Sequence, residues 1–417
     1  MKKVVLVSSS DSAGGAAKAT FRFFSALKNH SLSLDIRMVV SKKNQPDSDI
    51  ITNNSFTFRL MSFLKYKVSR KIISLQKTSN QNYHSINWFS GGLKNLVESQ
   101  SPDIVNIHWV NDESISIEQI GKIKQSLVLT LHDMWAFCGA EHYVDDTQSV
   151  RYLKGYNNTS PKANEGIDIN KLVWQRKMRA WGNKKITIVT PSNWLTECAK
   201  NSELFKNSPA SFSTIANPLD LDIYKPLDKK AMRELIGIPQ NKIVIGFGAL
   251  SAKTDSRKGF DLLELALAKL NEIAVDIEPK NTVFLIFGAD DKQNSIAGFD
   301  CYSTGHLNNE IAIAAAYNAM DVMLVPSRLE AFGQTGSEAQ ACGVPVVCFD
   351  TSGLKDVVVQ KKTGYLAKPY DPLDFAEGII WVYQNRENLS IAARKHALES
   401  WSYENISKRY EELYSLL

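Results

Sequence analysis

The sequence predicts an α/β protein made of two doubly wound parallel-sheet units, and three observations carry that prediction. Short Val- and Ile-rich runs alternate with helix-period segments through both halves of the chain. Runs of four to eight such residues, apolar on both faces, are what buried parallel strands look like. At 417 residues the chain is too long for a single core, since domains run to about 100–200 residues. A punctuated stretch near the middle, 215–227, contains Asn217-Pro218 and Lys225-Pro226 and has no helical period.

In the first half the strand runs are 3–8, 34–40, 104–108, 127–131 and 186–190; in the second they are 243–248, 283–288, 322–326 and 344–349. The predicted division is 1–216, 217–400 and a closing segment 401–417. That last segment spaces Tyr403, Ile406, Tyr410, Leu413 and Leu417 three to four apart, which predicts an amphipathic helix packing back on the first unit. The stretch from Cys138 to Asn170 is polar and reads as a loop.

Composition narrows the function classes. Hydrophobic residues at 44% and charged residues at 22% describe a folded protein rather than a disordered one. The net charge of +5 lacks the dense basic stripe of a nucleic-acid binder. The opening residues offer Lys2 and Lys3 and then only four apolar residues, too short for a secretory core. No uncharged apolar run approaches the ~18 residues of a spanning helix. Five scattered cysteines show no CxxC spacing, consistent with reduced thiols and no structural zinc. A cytoplasmic protein is expected, in contact with a membrane at most from its inner face.

One segment stands apart. Between 55 and 80 lie Arg59, Lys65, Lys67, Arg70, Lys71 and Lys77, with no acidic residue and many interleaved apolar ones. This predicts one or two basic amphipathic helices. Either the apolar stripe faces the core, or it docks on an anionic membrane.

Candidate chemistry collects just beyond strand ends, where ligands bind in open α/β sheets. After the first strand, Gly14-Gly15 opens a helix carrying Phe23, Phe24 and Leu27. In the second half, Arg257-Lys258-Gly259 opens another helix, and two cations at a helix N-terminus suit a diphosphate. Further on, Glu330 and Glu338 stand eight apart, separated by the turn Phe332-Gly333-Gln334-Thr335, whose amides can point at phosphate oxygens. His132 and the reserve candidate His108 each follow a strand. Asp47-Ser48-Asp49 and Asp220-Leu221-Asp222 match a DxD metal pattern, but by position they read as chance triplets, and no metal is expected.

The string Pro326 to Val347 resembles the donor-site signature of retaining glycosyltransferases of family 4, with two carboxylates in the spacing E-x7-E. The similarity extends through Asn217-Pro218, Arg257-Lys258-Gly259, Gly305, Ala319-Met320-Asp321 and Thr363-Gly364-Tyr365-Leu366. More weakly it takes in Gly14-Gly15, Thr130 to Trp135 and Pro191 to Leu195, fragments similar to the subset that builds bacterial surface polysaccharides. The resemblance implies the GT-B fold, two Rossmann-like domains facing a central cleft. It implies a nucleotide-sugar donor, GDP- or UDP-linked, and a lipid-linked or oligosaccharide acceptor, with no cofactor. By it, Lys258 and Arg257 neutralise the diphosphate with the amides of Gln334 and Thr335. Glu330 holds the transferred sugar, Glu338 the ribose, His132 lies beside the sugar, and Gly15 lets its loop close over the phosphates. Leaving-group stabilisation in a closed site then supplies the catalysis.

The chain departs from that pattern in three places. Ala249-Leu250-Ser251 stands where an arginine is usual. Thr335 and Ser337 replace apolar residues, and only Cys138 follows the His-Asp-Met-Trp stretch where relatives carry several cysteines. A silent nucleotide-sugar-binding partner subunit is the alternative. A sugar-nucleotide epimerase fits less well, because it lacks an E-x7-E string.

Overall fold

The computed structural model describes residues 1–144, 151–157, 164–248, 254–288, 294–307 and 309–417. Ala249-Leu250-Ser251 therefore lies outside the described residues. The chain divides into two compact units, Met1–Pro218 with Ile406–Leu417, and Leu219–Asn405.

The first unit is built on β1 (Lys2–Ser10), β2 (Leu34–Lys42), β3 (Ile50–Ile51), β5 (Ile104–Ile107), β6 (Ser126–Thr130), β8 (Thr187–Thr190) and β9 (Ser211–Thr214), with a small ribbon of β4 (Gln76–Thr78) and β7 (Asn164–Gly166). The large sheet runs β3-β2-β1-β5-β6-β8-β9 and is parallel throughout. The order reverses between β1 and β5, so loops leaving these two strands diverge and open a crevice at their carboxyl ends. Helix α1 (Gly15–His30) covers one face, burying Phe23, Phe24 and Leu27 against Val4, Leu6 and Met38. The same core contains Ile406, Tyr410 and Tyr414 from the helix Tyr403–Ser415, each without exposed surface. That helix is shorter than the 401–417 expected, because Trp401 closes the preceding helix, Pro372–Trp401.

Two expectations need correction here. The stretch from Cys138 to Asn170 is not a plain loop. It holds a helical turn, Arg151–Lys154, and β7, and a buried Arg151 whose Nη2 bonds Asp168 at 2.5 Å. Nor does the apolar stripe of 55–80 face the core. Helix α2 (Phe56–Ile73) leaves Phe56, Leu60, Phe63 and Leu64 exposed and buries only Ser69. The amphipathic period was legible, but polar partners elsewhere in the unit claim the polar face.

The second unit carries β10 (Ile243–Gly248), β11 (Thr282–Phe287), β12 (Ser295–Ile296), β13 (Phe299–Ser303), β14 (Val322–Val325), β15 (Val346–Phe349) and β16 (Gly364–Ala367). They are ordered β12-β13-β11-β10-β14-β15-β16, antiparallel only at β12–β13. The reversal falls between β10 and β14. Asp321 fixes the entry to β14 by accepting from Arg233 (2.7 Å), Lys229 (2.8 Å) and the Val244 N–H (2.8 Å). The long helix Pro372–Trp401 starts with proline at its first position and an Asp371 cap on the Leu373 and Asp374 amides.

Candidate functional site

The donor-site candidates converge at the reversal of the second sheet. Gly259 makes this possible. At φ 65° it lies in the left-handed region, and a Cβ there would stand 2.0 Å from the Pro326 carbonyl oxygen. The turn Ser256–Lys258 thus presses against the end of β14, and the Arg328 N–H reaches the Arg257 carbonyl at 2.7 Å. Lys258 Nζ meets Glu330 Oε1 at 2.6 Å, which also accepts from Ser327 Oγ at 3.1 Å. The Glu330 N–H donates to Ser352 Oγ at 3.0 Å. Burial works to raise the Glu330 pKa, but the Lys258 ammonium and the Ser327 hydroxyl outweigh it and hold the carboxyl below its usual range. Glu330 is therefore an ionised acceptor on a fixed backbone.

Arg257 is held by Asp255, whose carboxylate takes its Nη2 at 2.6 Å and its N–H at 3.1 Å. Arg328 instead forks onto Asp261 at 2.7 and 2.6 Å and donates to the Ser256 carbonyl at 2.9 Å. Gly333, at φ 105°, caps the helix Gln334–Ala341; a Cβ there would stand 2.6 Å from Leu354. Gln334 and Thr335 are that helix's first residues, ahead of its first backbone bonds, from the Gly336 and Ser337 amides to Gly333 O. A helix N-terminus of this kind favours an anion. Phe332 is buried edge-on against Trp401. Glu338 is buried one turn into the helix and accepts from Tyr317 Oη at 2.9 Å.

A second cluster belongs to the first unit. Gly14 caps α1 and Gly15 begins it. Their loop is tied down by buried Asp11, which accepts from the Asn44 amide at 3.0 and 2.9 Å and from the Gln45 amide at 2.9 Å. His108 follows β5, His132 follows β6, and the two rings meet at Nδ1···Nε2 3.0 Å beside a cavity also lined by Trp109 and Asp133. Among the described residues His108 Nε2 finds no hydrogen-bond partner. A buried orphan lone pair costs less than an orphan N–H, so the favoured tautomer has His108 Nδ1–H donating to His132 Nε2. Asp133 acts on His132 through its charge, against the effect of burial. It accepts from Trp109 Nε1 (3.0 Å), the Trp135 N–H (2.9 Å) and His142 Nδ1 (2.6 Å), whose Nε2 meets Ser85 Oγ at 2.8 Å. Buried Lys177 gathers the carbonyls of Trp135, Cys138 and Gly139 and lies 3.8 Å over the Trp135 ring.

Burial pushes His132 from 6.5 down to about 4, and His108 also well below its ordinary value. Both are neutral at pH 7. The native state thus binds fewer protons than the unfolded chain between pH 6.5 and 4, so stability is full above that window and falls as pH drops through it. We expect the urea midpoint to fall between pH 7 and 5, and the fall to be smaller in a His108→Asn, His132→Asn double variant.

The two DxD triplets make local contacts. Asp47 and Asp49 both grip Lys28, at 2.8 and 2.7 Å, and Asp220 closes a turn onto the Asp222 and Ile223 amides. Ser327, Ser352, Tyr317, His142 and Lys177 were not singled out in the sequence; Ser327 lies three residues before Glu330 inside the quoted string, whereas Ser352, Tyr317 and Lys177 reach their partners from 21 or more residues away, where no local spacing marks them.

Residues 228–396 match the family model described as glycosyl transferases group 1. The D-inositol 3-phosphate glycosyltransferase of Stackebrandtia nassauensis is 27% identical over 229 residues, 51% of this chain and 51% of that protein. The chain thus spans about half the length of the curated relatives it matches. Among solved structures, sucrose-phosphate synthase from Thermosynechococcus elongatus aligns with a TM-score of 0.66 at 16% identity, covering 100% of this chain and 99% of that one. HepE from Anabaena, in complex with UDP and glucose, aligns at 0.65 and 15%, covering 100% of both chains. The fold is GT-B, two parallel-sheet α/β domains. Its second unit is the part that resembles group 1 glycosyl transferases in sequence.

Proposed function

We propose that the chain is a retaining glycosyltransferase that moves a hexose or deoxyhexose from a UDP- or GDP-sugar to a lipid-linked or oligosaccharide acceptor in surface-polysaccharide assembly. The observation that carries this reading is the Lys258–Glu330 pair beside the capped helix Gln334–Ala341 at the reversal of the second sheet. A donor diphosphate would draw Lys258 and Arg257 and lie against the amides of Gln334 and Thr335. Glu330, released from the ammonium, would accept from sugar hydroxyls, and Glu338 from the ribose. The departing diphosphate needs charge stabilisation, which preorganised cations and amides provide. His132, neutral at pH 7, acts in this reading as a hydrogen-bonding group rather than as a strong base.

The matched family model and a neighbour solved with UDP and glucose support a nucleotide-sugar donor. The surface-polysaccharide assignment is supported by the first-unit fragments Thr130 to Trp135 and Pro191 to Leu195. Two results test the proposal. The product should keep the donor's anomeric configuration by proton NMR; inversion would reject the retaining assignment. Because Lys258 and Arg257 supply the positive charge, EDTA should leave the transfer rate unchanged, and restoration of an EDTA-suppressed rate by a divalent cation would overturn that point.

A further inference from the structure

We propose that α2 is a docking surface for an anionic lipid bilayer. The helix hides only part of its apolar surface. Its inner side is mixed: Phe58, Ile72 and Ile73 are half-buried, Lys65 Nζ donates to the Ser90 carbonyl at 2.6 Å, Arg70 Nη1 to the His84 carbonyl at 3.2 Å, and Ser69 is buried. Its outer side carries Phe56, Leu60, Met61, Phe63, Leu64 and Val68, between 43% and 73% exposed. Positions 56, 60, 63, 64, 67 and 71 recur at i, i+4, i+7 and i+8 spacings, so apolar side chains and the cations Lys67 and Lys71 share one face. Lys67 lies along the Phe63 ring, its Nζ 5.4 Å from the centroid. An apolar face edged with long cations is the signature of a helix lying in a membrane interface, rings in the acyl boundary and ammonium groups at the lipid phosphates.

Charge decides the occupant. From 55 to 80 there are six cations and no carboxylate. A second copy packed face to face would oppose Lys67 and Lys71 with their own equivalents and nothing to neutralise them, whereas anionic headgroups supply the counter-charge. No helix among the described residues is long and apolar enough to cross a membrane, so the contact is peripheral. The inference does not depend on the transfer reaction.

Flotation of the full chain tests it, using phosphatidylcholine vesicles with and without phosphatidylglycerol. The wild type should float with the anionic vesicles alone. Bound protein should fall about tenfold or more in Lys67→Glu with Lys71→Glu, and likewise in Leu60→Ser with Phe63→Ser and Leu64→Ser. All these positions are solvent-facing, so the thermal midpoint should hold in both variants. Failure of the wild type to float, or flotation of both variants at the wild-type level, would overturn the proposal. So would a dimer in light scattering that the serine variant returns to monomer, since a second copy would then cover this face.

Discussion

Replacing Lys258 by alanine is expected to cut sugar transfer by about 10²–10³, the usual loss when one preorganised charge-stabilising group is removed. Two effects combine. The donor diphosphate loses the cation that sits opposite Glu330, and Glu330 loses the partner that keeps it ionised. With Lys258 gone, burial raises the Glu330 pKa while the Arg257 charge and the Ser327 hydroxyl still oppose it. The residual rate should therefore decline on the acid side at a higher pH than the wild-type rate does. Nucleotide release measured across pH, at saturating donor, reads both changes. An unchanged rate in the alanine variant would remove Lys258 from the machinery.

Ending the chain after Ser402 is expected to unfold the first unit. The helix Tyr403–Ser415 contributes Ile406, Tyr410 and Tyr414 to that unit's core, all without exposed surface. Tyr410 packs edge-on against Phe23 at 5.1 Å, and Tyr414 Oη accepts from Asn106 Nδ2 at 2.7 Å. Truncating one large buried side chain costs about 2–5 kcal/mol. Three together approach the 5–15 kcal/mol that typically holds a domain folded, roughly its whole margin. Tyr410→Phe should cost only about 1 kcal/mol, because Thr130 Oγ1 keeps its bond to Asn106 when the phenol is removed. Circular dichroism and limited proteolysis separate the cases: the truncated chain should be cut rapidly within 1–218 and the phenylalanine variant should not.

The central strands were legible because both of their faces are buried and their apolar runs are unbroken, as in Val4 to Val7 or Val322 to Val325. Edge and flanking strands were not. Ser211–Thr214 has three polar residues in four and is only partly covered, and Gly364–Ala367 starts with a glycine, so neither shows a continuous apolar run. The candidate site divides in the same way. Glu330, Gly333 and Glu338 lie in one contiguous string whose spacing is visible. Ser352 accepts from the Glu330 backbone N–H and Tyr317 donates to the Glu338 carboxylate from 22 and 21 residues away, which only the fold brings close. Periodicity identified α2 as amphipathic but could not say which face turns outward. That depends on the carbonyls of His84 and Ser90, which draw Arg70 and Lys65 inward.

Donor binding in the second unit through Lys258 and Glu338 is the step on which the proposed function rests. Its most direct test is thermal shift against a panel of UDP- and GDP-sugars, for the wild type, Lys258→Ala and Glu338→Ala. A ligand at about a hundred times its Kd adds roughly 2.7 kcal/mol, or about 5–10 °C for a unit of this size. Such a shift is expected with one nucleotide family in the wild type, and its loss in both variants. A well-folded wild type that shifts with no nucleotide sugar would contradict this expectation and favour a role without donor binding.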